Sequence, residues 1–292
     1  MAIQIDDFFT HFRFQTMYLR NHSVVGIAAF QPQPNYPATA IVKILDCRHA
    51  NSNKEVMFTQ ILQNRCPYLV HLYCFYFTSK HIVLFLEHCT GGTVHDRLRQ
   101  RLGNWEERKL LEWFRQLVEA VATMHSKQVA HRDINPSNLF LTANEEMRLG
   151  DFGEASAVRE NLQTHYPRGS PQYTPPPLRV TTRGGAEFNK ECGYLHDVWS
   201  LGRTFYEMCM GRLVSEVDNR VGNMQSLLQM VGYDLSVRGT SGDLAKLILD
   251  MLSVEVQPMT IDKVKKTIAR LQAAREPLQP INPPMEDRVP SF

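Results

Sequence analysis

The stretch from Val129 to Gly153, VAHRDINPSNLFLTANEEMRLGDFG, constrains this chain more than any other. It sets the carboxylates of Asp133 and Asp151 and the carboxamide of Asn138 at either end of two short apolar runs. Asn138-Leu-Phe-Leu and Met147-Arg-Leu-Gly read as brief strands, with Ala143-Asn144-Glu145 as the turn between them. The spacing therefore predicts a hairpin that returns Asp151 to the side of Asp133 and Asn138. Phosphoryl transfer needs such a cluster: one carboxylate orients the attacking hydroxyl, while a second carboxylate and an amide oxygen hold magnesium on the phosphates. An ordinary hairpin with solvated acids is the alternative, and it gives no reason for these three groups to recur at these offsets.

A chain of 292 residues, 43% of them hydrophobic, has enough apolar side chain for one two-lobed domain or two small ones. The formal charge of +2 is nearly balanced, so bulk electrostatics point to neither nucleic acid nor membrane as partner. No apolar run approaches the length of a membrane span, and Met1-Ala-Ile-Gln-Ile-Asp-Asp lacks the basic-then-apolar design of a signal peptide. Six scattered cysteines (Cys47, Cys66, Cys74, Cys89, Cys192 and Cys209), with no C-x-x-C pair, read as reduced thiols of a cytoplasmic protein. No zinc site is expected.

Taken in order, the first 45 residues read as strands over Phe14 to Leu19, Val24 to Phe30 and Thr39 to Leu45, with a proline-rich loop before the third. Lys43 is a lone cation in the apolar strand Ala40-Ile41-Val42-Lys43-Ile44; by itself it reads as an edge lysine facing water. Val56, Ile61 and Leu62 mark an amphipathic helix over 50–63, with Asn51 or Asn53 as cap and Glu55 in the first turn. Strands over Leu69 to Thr78 and His81 to Glu87 lead to a Gly91-Gly92 turn and a further helix. Leu110, Leu111, Phe114, Leu117, Val118, Val121 and Met124 recur at helical spacing between Trp105 and Ser126 and read as core. The segment Glu154 to Pro177 is poor in apolar residues and rich in hydroxyls. Later helices are expected from Asp197 to Met210, over 242–252, and over 260–272 with Thr260 as cap.

HRD-x-x-x-x-N followed by DFG resembles the catalytic and magnesium loops of protein kinases, and the likeness extends over nearly the whole chain. It implies an α+β, two-lobed fold: a small antiparallel-sheet N-lobe with one helix over 1–88, a larger, mainly helical C-lobe over 89–276, and a proline-rich tail over 277–292. It implies ATP and Mg²⁺ as cofactors and a protein bearing serine or threonine as substrate, with a regulatory protein as a further partner. By the same resemblance Asp133 would position the acceptor hydroxyl and take its proton. Asn138 and Asp151 would hold Mg²⁺, and Lys43, braced by Glu55, would grip the α/β-phosphates. Glu87 and Cys89 would meet the adenine edge through their backbones, with Leu86 or its neighbour Phe85 as gatekeeper. Asp197 would bond to the backbone of the catalytic loop. Arg132 would receive an activation-segment phosphate, with Thr164, Tyr166 and Ser170 as candidates to carry it. In Gly169-Ser170-Pro171-Gln172-Tyr173 the Ser170 hydroxyl would bond to the catalytic aspartate, as in serine/threonine kinases. Leu86-Glu87-His88-Cys89-Thr90-Gly91-Gly92, HRDI-x-P-S-N-L-F-L and L-G-D-F-G are similar to the NIMA-related (NEK) branch, which implies a link to microtubules, cilia or the cell cycle.

Several positions depart from that pattern. The three glycines of the phosphate-covering loop become Asn21, Ser23 and Gly26, a poorer cradle. The small residue that packs on adenine is Ile41, whose added carbons cost roughly 1–3 kcal/mol if nothing yields. The catalytic-loop lysine is Asn135; losing such a donor typically costs on the order of 100- to 1,000-fold in rate. The closing A-P-E reads Pro175-Pro176-Pro177, and the arginine that would pair with its glutamate aligns with Gln257. Loss of both members of a buried pair is close to neutral. Two readings follow: a slow but real serine/threonine kinase, or a pseudokinase that uses the fold as a scaffold or allosteric module.

Overall fold

The computed structural model describes residues 12–20, 23–30, 37–100, 104–157, 169–175, 190–214, 224–253 and 259–275. The first part is a five-stranded antiparallel sheet of β1 (Phe12–Arg20), β2 (Ser23–Phe30), β3 (Thr39–Asp46), β4 (Leu72–Phe77) and β5 (His81–Glu87). The order is β1-β2-β3-β5-β4, so β3 sits at the centre, with Ala40, Val42 and Leu45 buried and Ile41 and Ile44 partly buried. Its register sorts side chains by face. Ile41 pairs with Ile27 and Leu86, and Lys43 with Val25 and Leu84. Val42 pairs with Phe85 and packs with Ala28, Ala40 and Val83 on the opposite face. Lys43 is thus no edge lysine.

Helix α1 (Ala50–Leu62) lies against this sheet. Val56 enters the cluster of Leu45, Leu72, Ile82 and Leu84, while Phe58 and Leu62 join the main core. The helix departs from expectation in three ways. Its N-cap is His49, without a side-chain cap bond, so Asn51 and Asn53 fall inside the helix and Glu55 lies in its second turn. Ile61 faces solvent (42% exposed), as does Met57. The buried face instead carries Ser52, Glu55 and Thr59. β4 also begins later than expected, at Leu72.

After β5 the chain turns through Gly91, whose amide donates to the Leu141 carbonyl; a Cβ there would lie 2.7 Å from the Leu141 and Thr142 oxygens. The remainder is mainly helical: α2 (Val94–Arg99), α3 (Glu107–Ser126), α4 (Lys190–Met210), α5 (Met224–Arg238), α6 (Gly242–Leu252) and α7 (Ile261–Ala273). All seven apolar residues predicted to line α3 are buried, and Phe114 stacks on Phe205 of α4 at 3.7 Å. Thr260 caps α7 by accepting from the Lys263 amide. Helix α4 starts at Lys190, before Asp197, so Asp197 sits within a helix rather than opening one. Helix α5 was not expected from the sequence. Leu227, Val231 and Leu235 are buried along one face, but Tyr233 and Val237 are 71% and 70% exposed, and Gly232 interrupts the run, so its periodicity is blurred. The result is an α+β, two-lobed architecture, with the cleft between sheet and helices.

Two small ladders line the cleft floor. β6 (Val129–Ala130) pairs with β9 (Ser156–Ala157), and β7 (Leu139–Leu141) with β8 (Met147–Leu149). The second is the predicted hairpin. No helix among the described residues is long and apolar enough to cross a membrane. Asn21, Thr164, Tyr166, Pro176, Pro177, Gln257 and residues 277–292 lie outside the described residues.

Candidate active site

The β7–β8 hairpin brings Asp151 into the same cavity as Asp133 and Asn138. The intervening backbone is held by named groups. Asp197, fully buried in α4, accepts from the amides of His131 (2.8 Å) and Arg132 (2.7 Å), and meets His125 Nε2 at 2.9 Å. Burial would raise its carboxyl, but the bond and charge of His125, with the charges of His131 and His196, together hold it below the usual carboxylate range. Arg132 and Asp151 both take left-handed backbone (φ 66° and 61°), strain of the kind that rigid surroundings must hold at functional sites. The Asp197 bonds supply that restraint at Arg132.

On the sheet side, Lys43 Nζ lies 2.6 Å from Glu55 Oε1 and 3.0 Å from Asp151 Oδ1. Burial opposes the lysine's charge, yet Asp151 and Glu55 together raise its pKa above the ordinary value. Burial also opposes ionisation of Asp151, and Lys43 outweighs it, so this carboxyl is held low. Glu55 is different: burial pushes its carboxyl up even with the lysine beside it. The two sequence-distant carboxylates are therefore joined through one cation.

The catalytic-loop residues use their side chains locally. Asn138 Nδ2 donates to the Asp133 carbonyl (2.8 Å) and to Asp133 Oδ2 (2.9 Å), which turns its amide oxygen elsewhere. Asn135 donates to the Asp133 carbonyl at 3.0 Å and accepts from the Ser137 amide at 2.9 Å, capping the 3-10 turn Pro136–Asn138. It is thus a loop cap. Asp133 Oδ1 accepts from the Ser170 amide at 2.8 Å; the bond expected from the Ser170 hydroxyl is made by its backbone instead.

A polar cavity of about 380 Å³ is lined by Lys43, Glu55, Asp133, Asn135, Asn138 and Asp151, with Ser23, Ser52, Ser137 and Ser170. Adjoining it is a mostly apolar slot of about 260 Å³. Val25, Gly26, Ile27 and Ile41 form its roof, and Leu86, Glu87, His88 and Cys89 one wall. Leu86 therefore faces the slot, whereas Phe85 is buried on the other face of the sheet. Cys89 is buried and its thiol is pushed up to about 12, so it stays protonated. The Glu87 carboxylate turns away, to Arg148 and to the His71 amide, which leaves only its backbone for a ligand.

Sequence reasoning missed Val70 and Phe140, which also line this slot. Phe140 lies between the inward-facing Leu139 and Leu141, so period-2 alternation alone aims it at the cleft. Gly150 leaves room for it. A Cβ on Gly150 would sit 2.6 Å from Val70 Cγ2 and 3.1 Å from Phe140 Cε2. Gly150→Ala is accordingly expected to destabilise the protein by about 1–3 kcal/mol through overpacking. Adding Val70→Ala, which removes the nearest atom, should recover most of that loss. Denaturant unfolding of the two single variants and the double variant measures this coupling.

A protein kinase domain model matches residues 37–264 of the chain. A probable serine/threonine-protein kinase of Dictyostelium discoideum is 29% identical over 205 residues, which span 67% of this chain and 23% of that relative. The chain therefore corresponds to about a quarter of that relative's length.

Proposed function

The chain belongs to the protein kinase domain family, and from that premise we propose that it transfers the γ-phosphate of ATP to serine or threonine hydroxyls of a protein. The observation that carries this reading is the joined set Glu55–Lys43–Asp151, one loop away from Asp133 and Asn138. The donors fit the cofactors. A carboxylate and an amide oxygen are hard ligands of the kind magnesium takes alongside phosphate oxygens. No cluster of three or more His, Cys, Asp or Glu ligands occurs among the described residues, and such a shared site needs none. The apolar slot suits a planar base edged by backbone groups.

In this reading Asp151 and Asn138 hold Mg²⁺, which supplies charge neutralisation on the phosphates when bound. Lys43 orients the α/β-phosphates, and Glu55 keeps the lysine in place. Ile41, Gly26 and Leu86 shape the base site, with the backbones of Glu87 and Cys89 on its edge. Asp133 orients the acceptor hydroxyl and takes its proton. Asn135 supplies no cation to the transferring group, because both ends of its amide serve the loop; transfer is slow for that reason. We place the lobe boundary near residue 88, a reading that the end of β5 at Glu87 supports. The hinge and loop motifs favour a NIMA-related kinase with a regulatory protein partner, and scattered cysteines without a C-x-x-C pair favour the cytoplasm.

The competing reading is a pseudokinase, favoured by Ile41 in the slot and by Asn135 as a cap. A thermal-shift titration with ATP, with and without Mg²⁺, separates the two at the binding step. A ligand of the folded state stabilises by about 2.7 kcal/mol at a hundredfold excess over its dissociation constant. We expect a Mg²⁺-dependent rise that disappears in Asp151→Asn. No rise at saturating ATP would leave the scaffold reading standing.

A further inference from the structure

Glu87 is the last residue of β5 and one wall of the apolar slot, but its carboxylate is shared between two other parts of the cleft. Oε2 accepts from the His71 amide at 3.2 Å, and the Glu87 amide donates to the His71 carbonyl at 2.8 Å. These bonds fasten Glu87 to the chain that enters β4. Oε1 lies 3.3 Å from Nε of Arg148, the middle residue of β8. The Arg148 and Glu87 side chains are only 13% and 20% exposed, so water screens this pair less than a surface one.

Arg148 is itself firmly placed. It stands opposite Phe140 in the β7–β8 register, so both side chains leave the hairpin on one face, and Phe140 lines the slot. Its Nη1 donates to the Met147 carbonyl (3.2 Å) and its Nη2 to Glu146 Oε2 (3.0 Å). The strand that carries it is bonded on its outer side: the Leu149 amide donates to the Tyr68 carbonyl (2.8 Å) and the Val70 amide to the Leu149 carbonyl (2.9 Å). The next residue, His88, is tied to the sheet, its Nδ1 meeting Thr39 Oγ1 at 2.8 Å. Two consecutive residues of the slot wall are thus held by their side chains, Glu87 to the cleft floor and His88 to the start of β3.

Resting on the kinase reading above, we propose that Arg148 is a positioning residue for the nucleotide base: by holding the Glu87 carboxylate it fixes the backbone edge of Glu87 and Cys89 that the base meets. With Arg148 in place, the edge is formed before the ligand arrives, and binding does not have to order it. Without Arg148 the carboxylate keeps only the His71 amide, and the edge must be ordered by the ligand itself. The base is remote from the phosphorus that reacts. The contact therefore acts equally on bound substrate and transition state, and its loss raises KM while kcat stays the same.

The test uses the whole chain and two probes: adenosine, which reads the slot, and tripolyphosphate with Mg²⁺, which reads the polar cavity. In Arg148→Met the dissociation constant for adenosine should rise by about threefold to tenfold. That for tripolyphosphate should not change, which also shows that the variant is folded. The KM for ATP should rise by the same factor as the adenosine constant, at unchanged kcat. Arg148→Lys keeps the charge without the planar fork and should lie between wild type and Arg148→Met. Unchanged adenosine affinity in Arg148→Met overturns the proposal and leaves the kinase reading intact. So does an equal loss for both probes, or a fall in kcat at constant KM, since either marks general support of the fold. A wild type that binds neither probe and transfers no phosphate defeats both.

Discussion

Asp197→Ala is expected to destabilise the protein by several kcal/mol, more than any other single carboxylate removal in the cleft. The side chain is fully buried and accepts two backbone hydrogen bonds, from His131 and Arg132, besides its contact with His125. Alanine would strand two buried amides, and each unsatisfied donor costs about 1–3 kcal/mol. It would also release the left-handed backbone at Arg132, which these bonds restrain. Asp197→Asn retains an oxygen acceptor and should lose less. Urea unfolding reads both variants. A loss below about 1 kcal/mol for Asp197→Ala would mean that the loop is held by something else.

Lys43→Ala should cost about 3 kcal/mol even without nucleotide, near the lower end of what breaking a buried ion pair costs. The variant leaves Glu55 and Asp151 facing one another without the cation that joins them. Glu55 is 5% exposed and bears most of the loss; the Asp151 side chain is 35% exposed, and solvent screens its share. The pH dependence follows from Glu55. Burial already raises its carboxyl above the ordinary 4.5, and without Lys43 the rise is larger. A carboxyl raised in the folded state contributes stability at low pH that is lost as pH rises through its folded pKa. The gap between variant and wild type should therefore narrow as pH falls from 7 toward 4.5. Lys43→Ala/Glu55→Gln should be more stable than Lys43→Ala at neutral pH, because no buried charge remains on the helix. A gap that is constant with pH would contradict this account of the pair.

What could be seen along the chain was what is local or strictly periodic. The offsets from Asp133 to Asn138 and Asp151 encode the hairpin, and the apolar repeat of α3 encodes its burial. What stayed hidden depends on partners that are distant in sequence. Helix α1 hides its own direction because its buried face carries Ser52, Glu55 and Thr59 while Met57 and Ile61 face solvent. There the site overrides the hydrophobic pattern, and periodicity misleads. Helix α5 is hidden for the opposite reason, since apolar Tyr233 and Val237 sit on its exposed face. The close fit of Gly150 against Val70 and Phe140 joins residues distant in sequence, and is invisible until the chain is folded. Asn135 shows another limit: its identity signals a missing cation, but only the bonds to Asp133 and Ser137 show that it caps the loop.

The most direct test of the central claim is the initial rate of γ-phosphate transfer from ATP to a serine/threonine acceptor protein, casein, by wild type and by Asp133→Asn. The geometry predicts a Mg²⁺-dependent wild-type rate that falls on the order of 10²- to 10⁴-fold in the variant, the range over which a positioned general base contributes. The variant should keep its Mg²⁺-dependent ATP binding, because Asn138 and Asp151 remain. A wild-type rate equal to that of Asp133→Asn would contradict the assignment and leave the fold as a binding module.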